Sequence, residues 1–528
     1  MTSIDLVLRG DADEPASARL VVVAASLGAI FEWYDFFLYG SLAVFFGVLF
    51  FPPGNETAAF LASLATFGAG FAVRPLGALV FGAMGDRIGR KRTFMITIAL
   101  MGISTVTVGL LPAYSQVGVW APIFLVTMRL AQGLAVGGEY GGAATYVGEH
   151  SLPGRRGYAT SWIQTTATFG FLLSLIAILT CRMSMGDAAF KTWGWRVPFL
   201  ASVLLLGVSI YIRLKLEESP IFVKMHATNR TSKAPITESF GAWTNLKKVL
   251  VTLFGITTGM TVIWYTAQFY ALFFMQTVLQ VDYKTSYSIF AVGLCIGTPF
   301  IVLFGALSDR LGRRPIMIAG MVLGALTLIP SFHALAHFAN PKLAAFSNRN
   351  PIEISAGDCN FSLFRAPASD CDKARNFFVR NGLSYRSTPA AAGGIVTRIG
   401  ETTLRGFQQA NYSQALDDLG FKAAAGNVNV FGVIAVIVWL MAMVGMVYGP
   451  MAAFMVEMFP AQIRSTSLSV PYNLGVGILG GFLPFIASAL VIYFGNVFAG
   501  LWYPVVVAAA TALIALLVMP ETKGREIG

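Results

Sequence analysis

Long stretches in which nearly every residue is apolar follow one another along this chain, separated by short polar breaks. Apolar runs near 20 residues are long enough to cross a ~30 Å hydrocarbon core as helices. They predict an all-α membrane protein with twelve transmembrane helices, near residues 20–50, 57–84, 93–112, 118–148, 158–181, 195–214, 249–278, 285–307, 315–338, 429–456, 466–494 and 499–519. The first and fourth runs exceed what a bilayer needs, which predicts tilt or an end beyond it. The polar stretches divide the chain further. They are an N-terminal tail (1–19), a basic linker (215–248), a segment at 340–428 between the ninth and tenth spans, and a tail at 520–528. Two six-helix halves result, 20–214 and 249–519.

The polar breaks also carry a repeat. Gly82-Ala83-Met84-Gly85-Asp86-Arg87-Ile88-Gly89-Arg90-Lys91 returns as Gly305-Ala306-Leu307-Ser308-Asp309-Arg310-Leu311-Gly312-Arg313-Arg314. Each copy joins two apolar runs. A looser element repeats as well, with Glu149, Pro153 and Arg156 in one copy and Glu457, Pro460 and Arg464 in the other. The first repeat has an offset of 223 residues and the second 308, so the second unit contains 85 extra residues, near 340–428. A unit written twice, six spans each, is what transporters built from two related halves show.

Charge fixes the expected orientation. With the N-terminus inside, both Asp-Arg-x-Gly-Arg loops, Arg155 and Arg156, the linker, Arg464 and the tail bearing Lys523 and Arg525 all fall inside. The short opposite loops at 51–56 and 113–117 have no Lys or Arg, as the positive-inside rule expects. The net charge of +11 is therefore read as loop charge and not as a nucleic-acid surface. Only 12% of residues are charged, against about 25% in a soluble protein. The 340–428 segment, broken by Pro341, Pro351, Gly357 and Pro367, then lies on the opposite, oxidising side. Its Cys359 and Cys371 are expected to form a disulfide. Cys295, within a span, is expected to pack as a small hydrophobe. Residues 1–19 lack a charged-then-apolar secretion signal, so a cytoplasmic tail is expected.

Ionisable residues inside spans are the candidate chemistry, because each is costly there without a cavity or partner. Glu32 and Asp35 share a face of the first helix at i and i+3. Two carboxylates in a low-dielectric site repel, which suits a group that picks up and releases a proton. Arg129 and Glu139 lie on the fourth helix about 15 Å apart in depth, too far to pair with each other. Asp35 with Arg129, and Arg74 with Glu139, are the expected pairs. An Arg in a cavity can also hold a substrate carboxylate in a bidentate fork. Gln164 on the fifth helix, and Trp264, Tyr265, Gln268, Tyr270 and Gln276 on the seventh, can orient a small polar solute. Gly133, Gly137, Gly138, Gly141 and Gly142 give the fourth helix a small face for close packing. No phosphate-binding Gly-x-x-x-x-Gly-Lys-(Ser/Thr) loop occurs, so ATP bound to this chain is not expected to drive it. His333 and His337 are read as an interfacial feature and not as a metal pair. No cofactor, metal or enzymatic activity is expected.

These residues together resemble the major facilitator superfamily. The resemblance rests on the doubled loop, the twelve spans and the central linker, and covers the chain outside 340–428. Finer features resemble its metabolite:proton symporter branch. They are Phe31 to Phe36, Arg74-Pro75-Leu76-Gly77, Trp195-Arg196-Val197-Pro198-Phe199 and Glu457-Met458-Phe459-Pro460. Gly138-Glu139-Tyr140-Gly141 with Ala144-Thr145-Tyr146 and Glu149 is most similar to the α-ketoglutarate permeases. The ending Pro520-Glu521-Thr522-Lys523-Gly524 is shared with sugar porters. The resemblance implies a monomeric symporter in a bacterial inner membrane that couples protons to a small organic anion by alternating access. It gives Asp35 and Arg129 the coupling role. It also implies that Asp86, Arg87, Arg90, Asp309, Arg310 and Arg313, with Glu149, Arg156, Glu457 and Arg464, form a cytoplasmic gate of partly solvated ion pairs. Such pairs are worth up to about 1 kcal/mol each. Two other readings stay open, uptake of a zwitterionic osmolyte such as proline or betaine, and a solute sensor without net transport. The osmolyte members carry a C-terminal coiled-coil extension that this sequence does not show, so osmotic gating of that kind is not expected.

Overall fold

The computed structural model describes residues 16–54, 56–88, 90–214, 234–357, 359–360, 367–389, 394–421, 425–426 and 428–527. It leaves out the side chains of 16–25, 83, 85–88, 90–92, 94, 212–213 and 235. Among these residues nine helices are long and apolar enough to cross a membrane. They are Glu56–Gly82, Trp120–His150, Arg156–Gly194, Trp243–Val278, Tyr283–Leu311, Arg313–Ala339, Val430–Met458, Arg464–Phe494 and Ala499–Val518. A bent pair, Ser26–Ser41 with Ala43–Phe50, makes a tenth. The shorter apolar helices Met95–Leu110 and Arg196–Tyr211 stand where the third and sixth spans are expected. Ordinals below follow this chain order.

The first span is not the continuous run that its apolar composition predicts, because it turns by 61° at Leu42. Aromatic packing beyond the turn accounts for this. Phe46 and Phe50 each meet the Trp195 ring edge-on at 5.5 Å, which seats the second piece on the start of the sixth helix. The seventh helix is interrupted by π turns at Leu253–Thr257, Thr266–Tyr270 and Phe274–Val278, and the eleventh by one at Gly475–Gly480. Such turns widen the helix and re-aim its side chains. Here they fall on the stretch carrying Gln268 and beside the one carrying Tyr265. The fourth helix uses its glycine face as expected. A Cβ on Gly133 would sit 1.7 Å from the carbonyl oxygen of Gly70, so the second and fourth backbones touch.

The two halves meet along two seams. Gly157 of the fifth helix faces Gly305 of the eighth, and a Cβ on Gly157 would lie 2.4 Å from the Gly305 oxygen. The eleventh helix meets the second, where a Cβ on Gly477 would lie 2.5 Å from the Phe71 oxygen. Cys295 does not pack inward as expected, because it is exposed on the outward stripe of the eighth helix with Val292 and Ile296.

The segment between the ninth and tenth helices folds into a small α/β unit. Strands β1 (Ile352–Ala356), β2 (Arg386–Pro389), β3 (Val396–Ile399) and β4 (Thr402–Arg405) form a sheet in the order β2-β1-β3-β4. β1 runs parallel to β2 and antiparallel to β3. Ile354, Phe378, Ile399, Tyr412 and Leu416 fill its core. The helix Asp370–Arg380 starts with a capping box in which Ser369 Oγ accepts from Asp372 N at 3.1 Å and Asp372 accepts from Ser369 N at 3.4 Å. Cys359 and Cys371 are joined, with their Cα atoms 5.1 Å apart. The unit is tied to the second half. Tyr385 N donates to Gly495 O at 2.7 Å, Val497 N to Ser384 Oγ at 3.1 Å, and Gln280 Nε2 to Arg380 O at 3.0 Å. It also reaches the first half, through an ion pair between Arg380 and Glu56 and a hydrogen bond from Thr57 to Asn376.

Candidate functional site

The ionisable residues of the spans are all buried. Glu32, Asp35, Arg74, Arg129 and Glu139 each keep under a tenth of their surface. A tight cavity of about 10 Å³ is lined by Trp33, Phe37, Trp264, Tyr265, Tyr448 and Tyr472, among others, and by none of these five. Arg74 is the cation nearest to this aromatic wall. Its guanidinium carbon lies 5.2 Å from the Trp33 ring centre, 5.3 Å from Phe71 and 5.8 Å from Tyr472. Nε donates to Asn473 Oδ1 at 3.0 Å, and neither terminal nitrogen has a hydrogen-bond acceptor among the described residues. Asn473 is itself held, donating to Gly137 O at 2.9 Å and Ser469 O at 2.8 Å. The expected Arg74–Glu139 pair is therefore not formed. Glu139 stands at the turn between Trp120–Gly137 and Tyr140–His150.

The expected Asp35–Arg129 pair is not formed either. Asp35 accepts from Ser202 Oγ of the sixth helix at 2.5 Å, and Thr105 of the third helix is also within its reach. Arg129 turns away along its own helix, where Nη1 donates to Gln132 Oε1 at 2.6 Å and to Phe36 O at 3.2 Å. Gln132 in turn donates to Thr105 Oγ1 at 2.8 Å. Thr105 Oγ1 itself donates to Met101 O at 3.0 Å, so the polar chain runs from Thr105 through Gln132 to Arg129, with Asp35 beside it. The guanidinium of Arg129 packs 4.3 Å from the Phe36 ring and 4.6 Å from Tyr39. Its Nε and Nη2 have no hydrogen-bond acceptor among the described residues. Phe36 and Phe71, edge-on at 4.5 Å, separate the two guanidiniums.

The expected amides are buried at the seam between the halves. Gln164 Nε2 donates across it to Tyr448 O at 3.1 Å, and Gln268 Nε2 to Thr168 Oγ1 at 3.1 Å. Both amide oxygens are without a hydrogen-bond partner among the described residues. Tyr265 lines the cavity, whereas Gln268 does not. Sequence reasoning passed over Tyr140, Tyr448, Tyr472 and Asn473. Tyr140 and Tyr472 stack at 3.6 Å, and the hydroxyls of Tyr448 and Tyr472 are 3.4 Å apart. Asn473 had a signal, since it is an amide inside the apolar eleventh run. The tyrosines had none, because a tyrosine in a span reads equally as an interfacial anchor.

At the end of the bundle away from the α/β unit, the second repeat exchanges partners between the halves. Glu149 of the first copy accepts from Arg464 of the second at 2.8 Å, and Glu457 of the second lies 3.8 Å from Arg156 of the first. Glu457 also takes both Nη2 and Nε of Arg313, at 3.0 and 3.3 Å. Asp309 accepts from the backbone N–H groups of Gly157 and Tyr158 at 2.8 Å each, so it caps the fifth helix from the opposite half. It binds Arg313 Nη1 at 2.7 Å as well. These groups are buried, not partly solvated as expected. The Arg464 and Glu149 side chains are 1% and 0% exposed. Removing one member of such a pair costs several times more than at a surface. Arg310 is exposed and lends only its carbonyl, to Lys523 Nζ at 2.6 Å. The side chains of Asp86, Arg87 and Arg90 lie outside the described residues.

The ending that discriminated least in the sequence completes this network. Glu521 accepts from the N–H groups of Arg313 at 3.0 Å, Arg314 at 3.1 Å, and Thr522 and Lys523 at 2.8 Å, capping the ninth helix. Burial pushes its carboxyl up, but these four donors outweigh burial and hold it below its ordinary value. Thr522 Oγ1 donates to Glu457 at 2.8 Å. His333 stacks on Phe498 at 3.9 Å, and among the described residues no cluster of metal-ligating side chains occurs.

Three comparisons bear on this arrangement. The Sugar (and other) transporter family profile matches residues 20–249. The solved structure of the xylose transporter XylE from E. coli, in a partially occluded inward-open conformation, superposes with a TM-score of 0.62 at 16% identity, over 97% of this chain and 100% of that one. At that identity it shows the fold alone. Among curated relatives, the alpha-ketoglutarate permease of Escherichia coli K12 is 33% identical over 61% of this chain and 73% of its own length. The proline/betaine transporter of the same strain is 36% identical over 60% and 64%. The inner membrane metabolite transport protein YhjE of Escherichia coli K12 is 31% identical over 97% of this chain and 96% of its own length. With so long a match to a metabolite transporter on this fold, the chain belongs to the metabolite:proton symporter family of the major facilitator superfamily, and is a multi-pass secondary transporter and not an enzyme.

Proposed function

We propose that this transporter is a proton-coupled symporter of a small organic anion, of the dicarboxylate or α-keto acid type, in a bacterial inner membrane with both termini in the cytoplasm. The observation that carries the reading is Arg74, a fully buried guanidinium with two unpartnered nitrogens beside the central cavity. A buried guanidinium with both terminal nitrogens unmet is costly, and a carboxylate offers them a bidentate acceptor. Asp35, with Glu32 one turn earlier, is the proton-binding group. Thr105 and Gln132 stand between it and Arg129. The exchanged pairs Glu149–Arg464 and Glu457–Arg156, with Asp309 on the fifth helix, form the cytoplasmic gate. They are bistable because they break only when the halves separate. Relatives named for alpha-ketoglutarate and shikimate support the substrate class.

A second reading has its own observation. Trp33, Trp264, Tyr265, Tyr448 and Tyr472 form an aromatic wall that would suit the ammonium of a zwitterion held at Arg74 by its carboxylate. Relatives named for proline and betaine agree with it. The test is uptake into proteoliposomes under an imposed inward proton gradient, with labelled α-ketoglutarate, citrate, shikimate, proline, betaine and a hexose. Gradient-driven accumulation of an acid supports the first reading, and of betaine or proline alone the second. Solute binding without accumulation points to a sensor.

A further inference from the structure

The α/β unit rides on the second half, through its bonds to Gly495, Val497 and Gln280. A Cβ on Gly382 would lie 1.9 Å from the Val278 oxygen, so the backbones are in direct contact there. The helix Asp370–Arg380 of this unit also bonds the first half, through Asn376 to Thr57 and Arg380 to Glu56. Beneath it lies a second cavity of about 360 Å³, large enough for a small metabolite, while the central one is not. Both halves and the unit itself contribute to its wall. Val44, Glu56, Thr57 and Phe60 come from the first half, Tyr270, Phe273 and Gln276 from the seventh helix, and Val379 and Arg380 from the unit. Its chemistry is an apolar and aromatic wall with a few polar groups. Gln276 Nε2 is buried without an acceptor. Arg380 is half exposed, with Glu56 as its ion-pair partner.

We infer that this vestibule is a second solute site, at which the carboxylate of an arriving solute displaces Glu56 from Arg380 before passing to the centre. Arg380 is the anchoring cation, and Gln276 donates from the facing wall. Glu56 is an internal competitor that occupies Arg380 when no solute is present. Displacing it also releases one of the two contacts between the unit and the first half, leaving the Thr57–Asn376 bond, so solute arrival loosens that face. The inference rests on the reading that the solute carries a carboxylate, which α-ketoglutarate and betaine both do.

The sign of two variant effects tests it. As a solute anchor, Arg380→Gln raises the KM for uptake about five-fold, and Glu56→Gln lowers it, because the competitor is gone. A contact that merely holds the halves together is broken equally by either variant, and both then shift KM in the same direction. Measured on the full chain in proteoliposomes with labelled α-ketoglutarate and betaine, opposite shifts support the site. Shifts in the same direction, or none, overturn it. Equilibrium binding of the carried solute adds a second readout. Affinity is expected to fall in Arg380→Gln and to rise in Glu56→Gln, and equal affinities in all three chains overturn the inference. These outcomes are separable from failure of the carboxylate reading. In that case the wild type neither takes up nor binds either carboxylate, and both proposals fall together.

Discussion

Glu149→Gln removes the charge from one side of the Glu149–Arg464 pair while keeping its shape. The pair is 2.8 Å long and its side chains are 1% and 0% exposed, so solvent screening is slight. Breaking a buried pair by neutralising one partner typically costs about 3 to 5 kcal/mol, because the remaining charge stays desolvated. The pair joins the two halves, so the cost falls on the state closed at this face and not on the state open there. A penalty of about 3 kcal/mol raises the population open at this end about 150-fold. The amides of Gly157 and Tyr158 report it, since Asp309 binds them across the same seam at 2.8 Å. Hydrogen–deuterium exchange of the first turn of the fifth helix is expected to quicken by up to that factor. Adding Arg464→Gln removes the stranded charge and is expected to return exchange most of the way to wild type. Unchanged exchange in Glu149→Gln, or a double variant that exchanges faster still, would refute the reasoning.

Asp35→Asn is expected to abolish gradient-driven accumulation while leaving exchange of solute for solute intact, and loss of both would show a structural role. Arg74→Lys keeps the charge but loses the fork and the Nε bond to Asn473, so KM should rise about ten-fold or more with thermal stability little changed. Replacing Cys359 and Cys371 by Ser should destabilise the α/β unit by about 3 kcal/mol in the chain-entropy model, seen as faster proteolysis within it. Glu521 is held below its ordinary value, so its cap is fully present above that value and is lost as pH falls through the lowered one. Exchange at Arg313 and Arg314 N–H, corrected for intrinsic rate, should therefore rise on acidification until the wild type matches Glu521→Gln, and an acid-insensitive difference would count against the cap.

The chain by itself determined the layout. Twenty-residue apolar runs must become helices in a bilayer, where backbone groups cannot bond to water, so the runs and their order were legible. The doubled Asp-Arg-x-Gly-Arg loop and the doubled Glu…Arg element declared two related halves. Buried charges stood out at Glu32, Asp35, Arg74, Arg129 and Glu139 because apolar surroundings make each one costly. Their partners were decided only by the tertiary structure. Depth along a helix is readable at 1.5 Å per residue, but which face a side chain presents to which neighbour is not. Asp35 therefore meets Ser202 and not Arg129, and Arg74 meets Asn473 and not Glu139. The π turns of the seventh helix and the 61° bend of the first shift those faces again. The repeat showed that Glu149 and Glu457 are equivalent, yet only packing of one half against the other makes each of them face an arginine of the opposite copy. The same holds for Glu521, a surface carboxylate in the sequence that becomes the cap of the ninth helix only when the chain end folds back onto Arg313.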